Sequence, residues 1–296
     1  MSDHIAKLEA FEKKHDFFIG IDSDGCAFDS MEIKHKECFI PNIINHWELQ
    51  GVSRFARDAA EFVNLYSEWR GINRFPALTM AFDLLADRED ATERGYVAPA
   101  VDSLREWIAT ETRLGNPALE AKVAECPDDP VLAQALKWSL AVNQSVTDIV
   151  RNVPPFPNVR KSLEKIITVA DVMVVSATPN EALEREWAEH DIDKYVGMIC
   201  GQEMGNKKEH LKYGAGSKYD AGKVLMIGDA PGDMKAAKAN DMLFFPIIPG
   251  HESESWKRFH DEASEKFFAG TYAGEYEDTL IAEFMTYLPS TPPWKL

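Results

Sequence analysis

Cysteine is scarce in this chain: Cys26, Cys38, Cys126 and Cys200 are scattered through 296 residues, with no Cys-x-x-Cys pair. Neither a disulfide framework nor a zinc site is indicated. Positive charge is short as well, 32 Lys and Arg against 49 Asp and Glu, for a formal net charge of −17. No broad positive field exists to draw a nucleic acid or an anionic membrane, so neither is an expected partner. Long apolar runs are missing too, since none approaches the ~18 residues that a membrane helix needs. Met1 to Asp16 alternates charge with small apolar groups and holds no ordinary secretory signal. A soluble cytoplasmic protein is expected. Internal repeats and low-complexity tracts are also lacking.

What is present is a set of apolar runs that end in polar groups. Phe17 to Ile21 runs into two carboxylates, Asp22 and Asp24, followed by Gly25, which can take the conformations of a sharp turn. A buried strand that delivers acids to its C-terminal edge is where open α/β sheets build their sites. A strand followed by an Asx-type turn produces similar letters. A second β-branched run, from Asp171 to Val175, ends at Ser176, which as an isolated residue reads as a turn or helix cap. Gly205 to Leu211 opens a helical pattern with the adjacent pair Lys207 and Lys208, ordinary at a solvated helix start. A third run, Lys223 to Gly228, ends in Asp229, with Pro231 at a first helical position and Asp233 four residues beyond Asp229. Taken singly, Asp229 reads as a helix cap and Asp233 as a first-turn acid complementing the helix dipole.

Between these segments the pattern changes. Phe55, Ala59, Phe62, Val63, Tyr66 and Trp69 recur at helical spacing, as do Leu78, Phe82 and Leu85, then Val101, Leu104, Trp107 and Ile108, and then Leu132, Leu136, Leu140 and Ile149. Residues 30–154 are expected to form an all-helical insertion of five or six helices. After Pro154, Pro155 and Pro157, helices alternate with β-branched runs: a helix from Val159 to Ile167, strands at Val172–Val175, Val196–Cys200 and Leu243–Ile247, and a helix at Glu181–Glu189. That alternation predicts an α/β fold with a parallel sheet. Helical stretches are expected at Trp256–Phe268 and Asp278–Tyr287. The domain division that follows is 1–29 plus 155–296 for the core and 30–154 for the insertion.

Strand-Asp-x-Asp, strand-Ser, Lys and strand-Gly-Asp-x-x-x-Asp, in this order, resemble the four motifs of the haloacid dehalogenase-like superfamily, in its phosphatase branch. The likeness covers residues 14–29 and 155–248. It implies a Rossmann-like parallel sheet with a helical cap inserted after the first motif, closing over the site and supplying specificity. It also implies a magnesium-dependent phosphatase acting on a small phosphorylated metabolite through an aspartyl-phosphate. Asp22 would be the nucleophile and Asp24 the general acid. Ser176, with Ala177 after it, and Lys207 would hold the phosphate, the Lys-x-Glu-x-Leu spacing favouring Lys207 over Lys208. Mg2+ would be held by Asp22, the backbone carbonyl of Asp24, and Asp229, with Asp233 bracing that shell. In the insertion, Arg70 and Arg74 flank a Gly-containing break and are candidates for the remote part of the substrate, although arginines also form ordinary inter-helix pairs. A phosphomutase of the β-phosphoglucomutase type shares the four motifs. A non-catalytic interaction protein on the same fold would use the helical insertion as its binding surface. The substrate and the oligomeric state are not readable from the residues.

Overall fold

Strands buried on both faces need apolar residues without interruption, and the three runs singled out above supply them. In the computed structural model, which describes residues 3–220 and 222–295, they become β1 (Phe17–Ile21), β2 (Ala170–Val175) and β4 (Val224–Gly228). With β3 (Met198–Cys200) and β5 (Leu243–Pro246) they form one five-stranded sheet in the order β3-β2-β1-β4-β5, parallel throughout. The chain adds strands first to one side of β1 and then to the other. The switch therefore falls between β1 and β4, where open α/β sheets leave a crevice at the strand C-termini.

Strand alternation splits the core into two layers. Ile19, Ile21, Val172, Val174, Leu225 and Ile227 pack with Trp187, Trp256, Phe259 and Phe267 on one face. Phe18, Met173, Val175, Met226 and Phe244 pack with Leu8, Phe11, Leu211, Ala237 and Phe284 on the other. The C-terminal segment supplies both layers through helices at Glu252–Arg258, continued to Phe268, and at Glu275–Thr286.

The chain divides into two units, Met1–Met31 with Asn152–Leu288, and Glu32–Arg151 with Pro289–Leu296. The described residues 289–295 thus group with the insertion, where the sequence division had them with the core. Within that second unit, Trp294 stands edge-on to Phe62 at 5.8 Å and beneath the Arg88 guanidinium at 4.7 Å, while Lys295 pairs with Asp87 at 3.0 Å.

The second unit is helical over its described residues. Its longer helices are Ser53–Leu65, Arg74–Ala86, Asp102–Thr110, Asn116–Glu125 and Pro130–Ile149. The last starts sharply because the Asp129 carboxylate accepts the amides of Val131 and Leu132 and Pro130 takes the first position. Its buried face is Leu132, Ala135, Trp138 and Val142. Leu140 and Ile149, expected on that face, are each 47% exposed; small Ala135 and large Trp138 carry the packing that the leucine spacing pointed to. The helix at Asn116–Glu125 was not anticipated, because Leu119 is its only buried residue.

Candidate active site

Asp22 is the first residue past β1, and its amide donates to the Ile227 carbonyl of β4 at 3.0 Å, which fixes it at the switch point. The residue is 5% exposed. One carboxylate oxygen accepts the Ser23 amide at 2.8 Å and the other the Lys207 ammonium at 2.7 Å. Lys207 opens the helix Lys207–Gly214, whose start is fixed by a reciprocal capping box between Asn206 and Glu209. The same ammonium donates to Asp233 Oδ1 at 2.6 Å. Lys208, its neighbour, is exposed. Of the two adjacent lysines, Lys207 is the one that meets Asp22.

Asp233 is fully buried in the first turn of Pro231–Lys238 and uses its other oxygen to accept the Ala230 amide at 3.1 Å. Gly228 makes room for this return of the side chain: a Cβ there would lie 2.5 Å from Asp233 Oδ2 and 2.6 Å from its Cγ. Asp229, 1% exposed, completes the group. Carboxylate oxygens of Asp22, Asp229 and Asp233 all lie within 4.8 Å of one another.

Three acids around one lysine set the electrostatics. Burial raises Asp22 well above the ordinary carboxylate value; Lys207 opposes the rise, and the charges of Asp233 and Asp229 add to it. Burial disfavours the Lys207 charge, but Asp22 and Asp233 outweigh it and hold the lysine above its usual value. One cation does not neutralise three carboxylates, so the cluster has excess negative charge and an all-oxygen donor set. That combination fits a hard divalent cation such as magnesium. One turn along the same helix, His210 is fully buried. Burial first, and then the Lys207 charge, lower it to about 4, so a neutral imidazole lies next to the lysine.

Asp24 directly precedes Gly25, whose φ of 75° is a left-handed conformation that favours glycine. The Asp24 carboxylate accepts the Ser30 hydroxyl at one oxygen and the Thr178 hydroxyl at the other, the latter at 2.7 Å. Ser176, 2% exposed, follows β2, and its Oγ accepts the Thr178 amide at 3.2 Å. Among the described residues its own hydroxyl proton has no assigned acceptor. Ala177 lies between them in the exposed turn. Ser30 and Thr178 were missed by the sequence reading; the only available sign was a second hydroxyl two residues after Ser176.

Arg70 and Arg74 belong to the second unit, and both guanidinium groups have work there. Arg70, 3% exposed, donates to the Leu65 carbonyl at 2.8 Å. Arg74 donates to the Ser139 carbonyl at 3.2 Å, Ser139 Oγ at 3.0 Å and Asn143 Oδ1 at 2.7 Å, and lies 4.9 Å over the Phe39 ring. These bonds tie Arg74–Ala86 to Pro130–Ile149 and account for Arg74 without a substrate.

Residues 117–247 match a family model described as haloacid dehalogenase-like hydrolase. That stretch contains Ser176, Lys207, Asp229 and Asp233, and stops short of Asp22 and Asp24 on the N-terminal side. No curated protein matches the chain. Among solved structures, it is similar to a haloacid dehalogenase-like family hydrolase from Streptococcus pneumoniae, with 13% identity, coverage of 81% of this chain and 90% of that one, and a TM-score of 0.43. It is also similar to a predicted phosphoglycolate phosphatase from Haemophilus somnus, with 16% identity, coverage of 82% and 93%, and a TM-score of 0.41. A predicted phosphatase from Clostridium acetobutylicum gives 13% identity, coverage of 86% and 98%, and a TM-score of 0.41.

Proposed function

We propose, from the match of residues 117–247 to a haloacid dehalogenase-like hydrolase model, that the chain is a hydrolase of that kind and a magnesium-dependent phosphatase of small phosphomonoesters. The observation that carries the reading is the pairing of Asp22 with Lys207 at 2.7 Å, at the sheet's switch point and two residues from a second carboxyl held by two hydroxyls.

In the first step a carboxylate oxygen of Asp22 attacks phosphorus, forming an O–P bond as the bond to the alcohol oxygen breaks. Asp24 donates a proton to the departing oxygen. Ser30 and Thr178 fix the direction in which that carboxyl points. In the second step Asp24, now ionised, takes a proton from water, whose oxygen attacks phosphorus and frees Asp22 and inorganic phosphate. Lys207 offsets charge on Asp22 and on the transferring group, and Asp233 holds Lys207 in place. The Ser176 hydroxyl is free to donate to a phosphate oxygen, with Ala177 beside it in the turn. Asp22, Asp229 and the Asp24 carbonyl would hold magnesium, with Asp233 bracing them. The ion, when bound, supplies positive charge against the repulsion between the acids and the incoming phosphoryl group.

The test is release of inorganic phosphate from sugar, nucleotide and organic-acid phosphates with magnesium present. Turnover of at least one, lost in Asp22→Asn and in excess chelator, is expected. No phosphate release from any phosphomonoester by the folded protein would overturn the reading.

A further inference from the structure

Ser23 stands between the two carboxylates, continuing the face of β1 that carries Ile19 and Ile21. That face packs on Trp187 and Trp256. Ser23 is fully buried, and its Oγ accepts the indole N–H of Trp187 at 3.0 Å. Two residues past Asp24, the carbonyl of Cys26 accepts the indole N–H of Trp256 at 2.7 Å. Both indoles are fully buried. The two bonds therefore grip the loop immediately before Asp24 and shortly after it.

The rest of the loop is bonded mainly to itself. The Ser23 carbonyl accepts the amides of Ala27 and Phe28 at 2.9 and 3.0 Å, and the Gly25 amide donates to the Phe28 carbonyl at 2.8 Å. Such bonds fix the loop's shape; the two indoles, with the Phe156 amide on the Ala27 carbonyl at 2.9 Å, fix where it sits. Trp187 comes from Asn180–Glu189, the helix that follows Ser176 and Thr178. Trp256 comes from Glu252–Arg258, in the C-terminal segment that lies beyond the four motifs. The rings are themselves braced: Trp187 edge-on to Phe28 at 5.7 Å, Trp256 edge-on to Phe259 at 5.6 Å.

We infer that Trp187 and Trp256 are positioning residues for Asp24, and that through Trp256 the C-terminal segment is part of the catalytic apparatus. The inference rests on the phosphatase reading for the role of Asp24. An acid must meet the leaving oxygen at hydrogen-bond distance, and a misplacement of about 1 Å can cost roughly a hundredfold in rate. Loss of either N–H leaves a buried acceptor without its donor and the loop free to shift.

Trp187→Phe and Trp256→Phe keep an aromatic ring and remove the donor N–H together with part of the buried indole volume, whose cost to stability falls on both substrates alike. Each variant is assayed with magnesium on glycerol phosphate, whose leaving group needs a proton, and on p-nitrophenyl phosphate, whose leaving group needs little. Amide hydrogen exchange is followed in the peptide spanning residues 22–29, with β4 as internal control. In both variants kcat on glycerol phosphate should fall by roughly 10- to 100-fold, much more than on p-nitrophenyl phosphate, with KM little changed. Exchange in residues 22–29 should quicken about tenfold, the worth of one hydrogen bond, while β4 stays protected. Equal proportional losses on the two substrates, as a smaller folded fraction would give, would overturn the inference. So would unchanged exchange in residues 22–29. If the unmodified protein released phosphate from neither ester, nor from any other, the phosphatase reading would fail. The exchange measurement would then still decide whether the two indoles hold the loop.

Discussion

Gly228→Ala adds one methyl group and removes no polar atom, yet it should disable the site. The new Cβ would meet Asp233 Oδ2 at 2.5 Å and Cγ at 2.6 Å, about 1 Å inside ordinary carbon contact distance. Asp233 is fully buried and cannot swing outward. One of its oxygens holds the Ala230 amide at 3.1 Å and the other the Lys207 ammonium at 2.6 Å. A shift of that size breaks one bond or both, and Lys207 then moves against Asp22. Overpacking of this kind costs about 1–3 kcal/mol of stability. Displacing an electrostatic group by about 1 Å costs roughly a hundredfold in turnover. Gly232→Ala, four residues on, is the matched control, because it is exposed and a Cβ there has nothing within 4 Å. That change should leave turnover alone and stabilise by up to ~1 kcal/mol by restricting the unfolded chain. The assay is phosphate release from p-nitrophenyl phosphate alongside urea unfolding of both variants. Near-normal turnover in Gly228→Ala, or equal loss in the two variants, would refute the argument that Gly228 exists to seat Asp233.

Lys207→Met should abolish measurable phosphate release and cost about 3–5 kcal/mol in urea unfolding, since it strands buried carboxylates; Lys208→Met, at an exposed position, should stay within ~0.5 kcal/mol and keep its turnover. Asp171, 7% exposed, is opposed in its charge by burial, but the amides of His15 and Lys14, the Tyr219 hydroxyl and the His15 ring outweigh this and lower its pKa. Because the folded pKa lies below the ~3.9 of an unfolded aspartate, the charge stabilises the fold above that pH, and the contribution fades as pH falls through the folded value. Asp171→Asn should therefore cost about 1–3 kcal/mol at neutral pH and less below pH ~3, read from urea midpoints across that range. Arg74→Ala should lower stability by about 1–3 kcal/mol through its lost bonds to Ser139 and Asn143. It should reduce activity on p-nitrophenyl phosphate and on the natural substrate in equal proportion; a loss confined to the natural substrate would return Arg74 to substrate binding.

The strands were legible because a strand buried on both faces writes itself as an unbroken apolar run: β1, β2 and β4 lie within two residues of their expected limits. The acids and hydroxyls that end those runs were legible for the same reason, since parallel topology collects strand ends on one edge. What could not be read depends on partners distant in sequence. Lys207 and Lys208 are distinguished only by which side of the helix meets Asp22. Thr178 and Ser30 become relevant only once β2 and the turn after Gly25 bring them to Asp24. Nothing in the sequence sets Trp187 and Trp256 apart, and their indole donors acquire meaning only from the loop atoms they reach. In the second unit, reading leucines at four-residue spacing misplaced the buried face of Pro130–Ile149, because Ala135 and Trp138 together fill the space. The terminal residues 289–296 carried no periodicity, so nothing in them told of Trp294 and Lys295 joining the second unit.

The central claim is that Asp22 becomes covalently phosphorylated. Mixing the protein with a labelled phosphomonoester and magnesium, quenching in acid and mapping the label by mass spectrometry tests it directly. A phosphoryl group on Asp22 that appears within one turnover, and is missing in Asp22→Asn, is the predicted result. Label on another residue, or full turnover with Asp22 replaced by Asn, would contradict it.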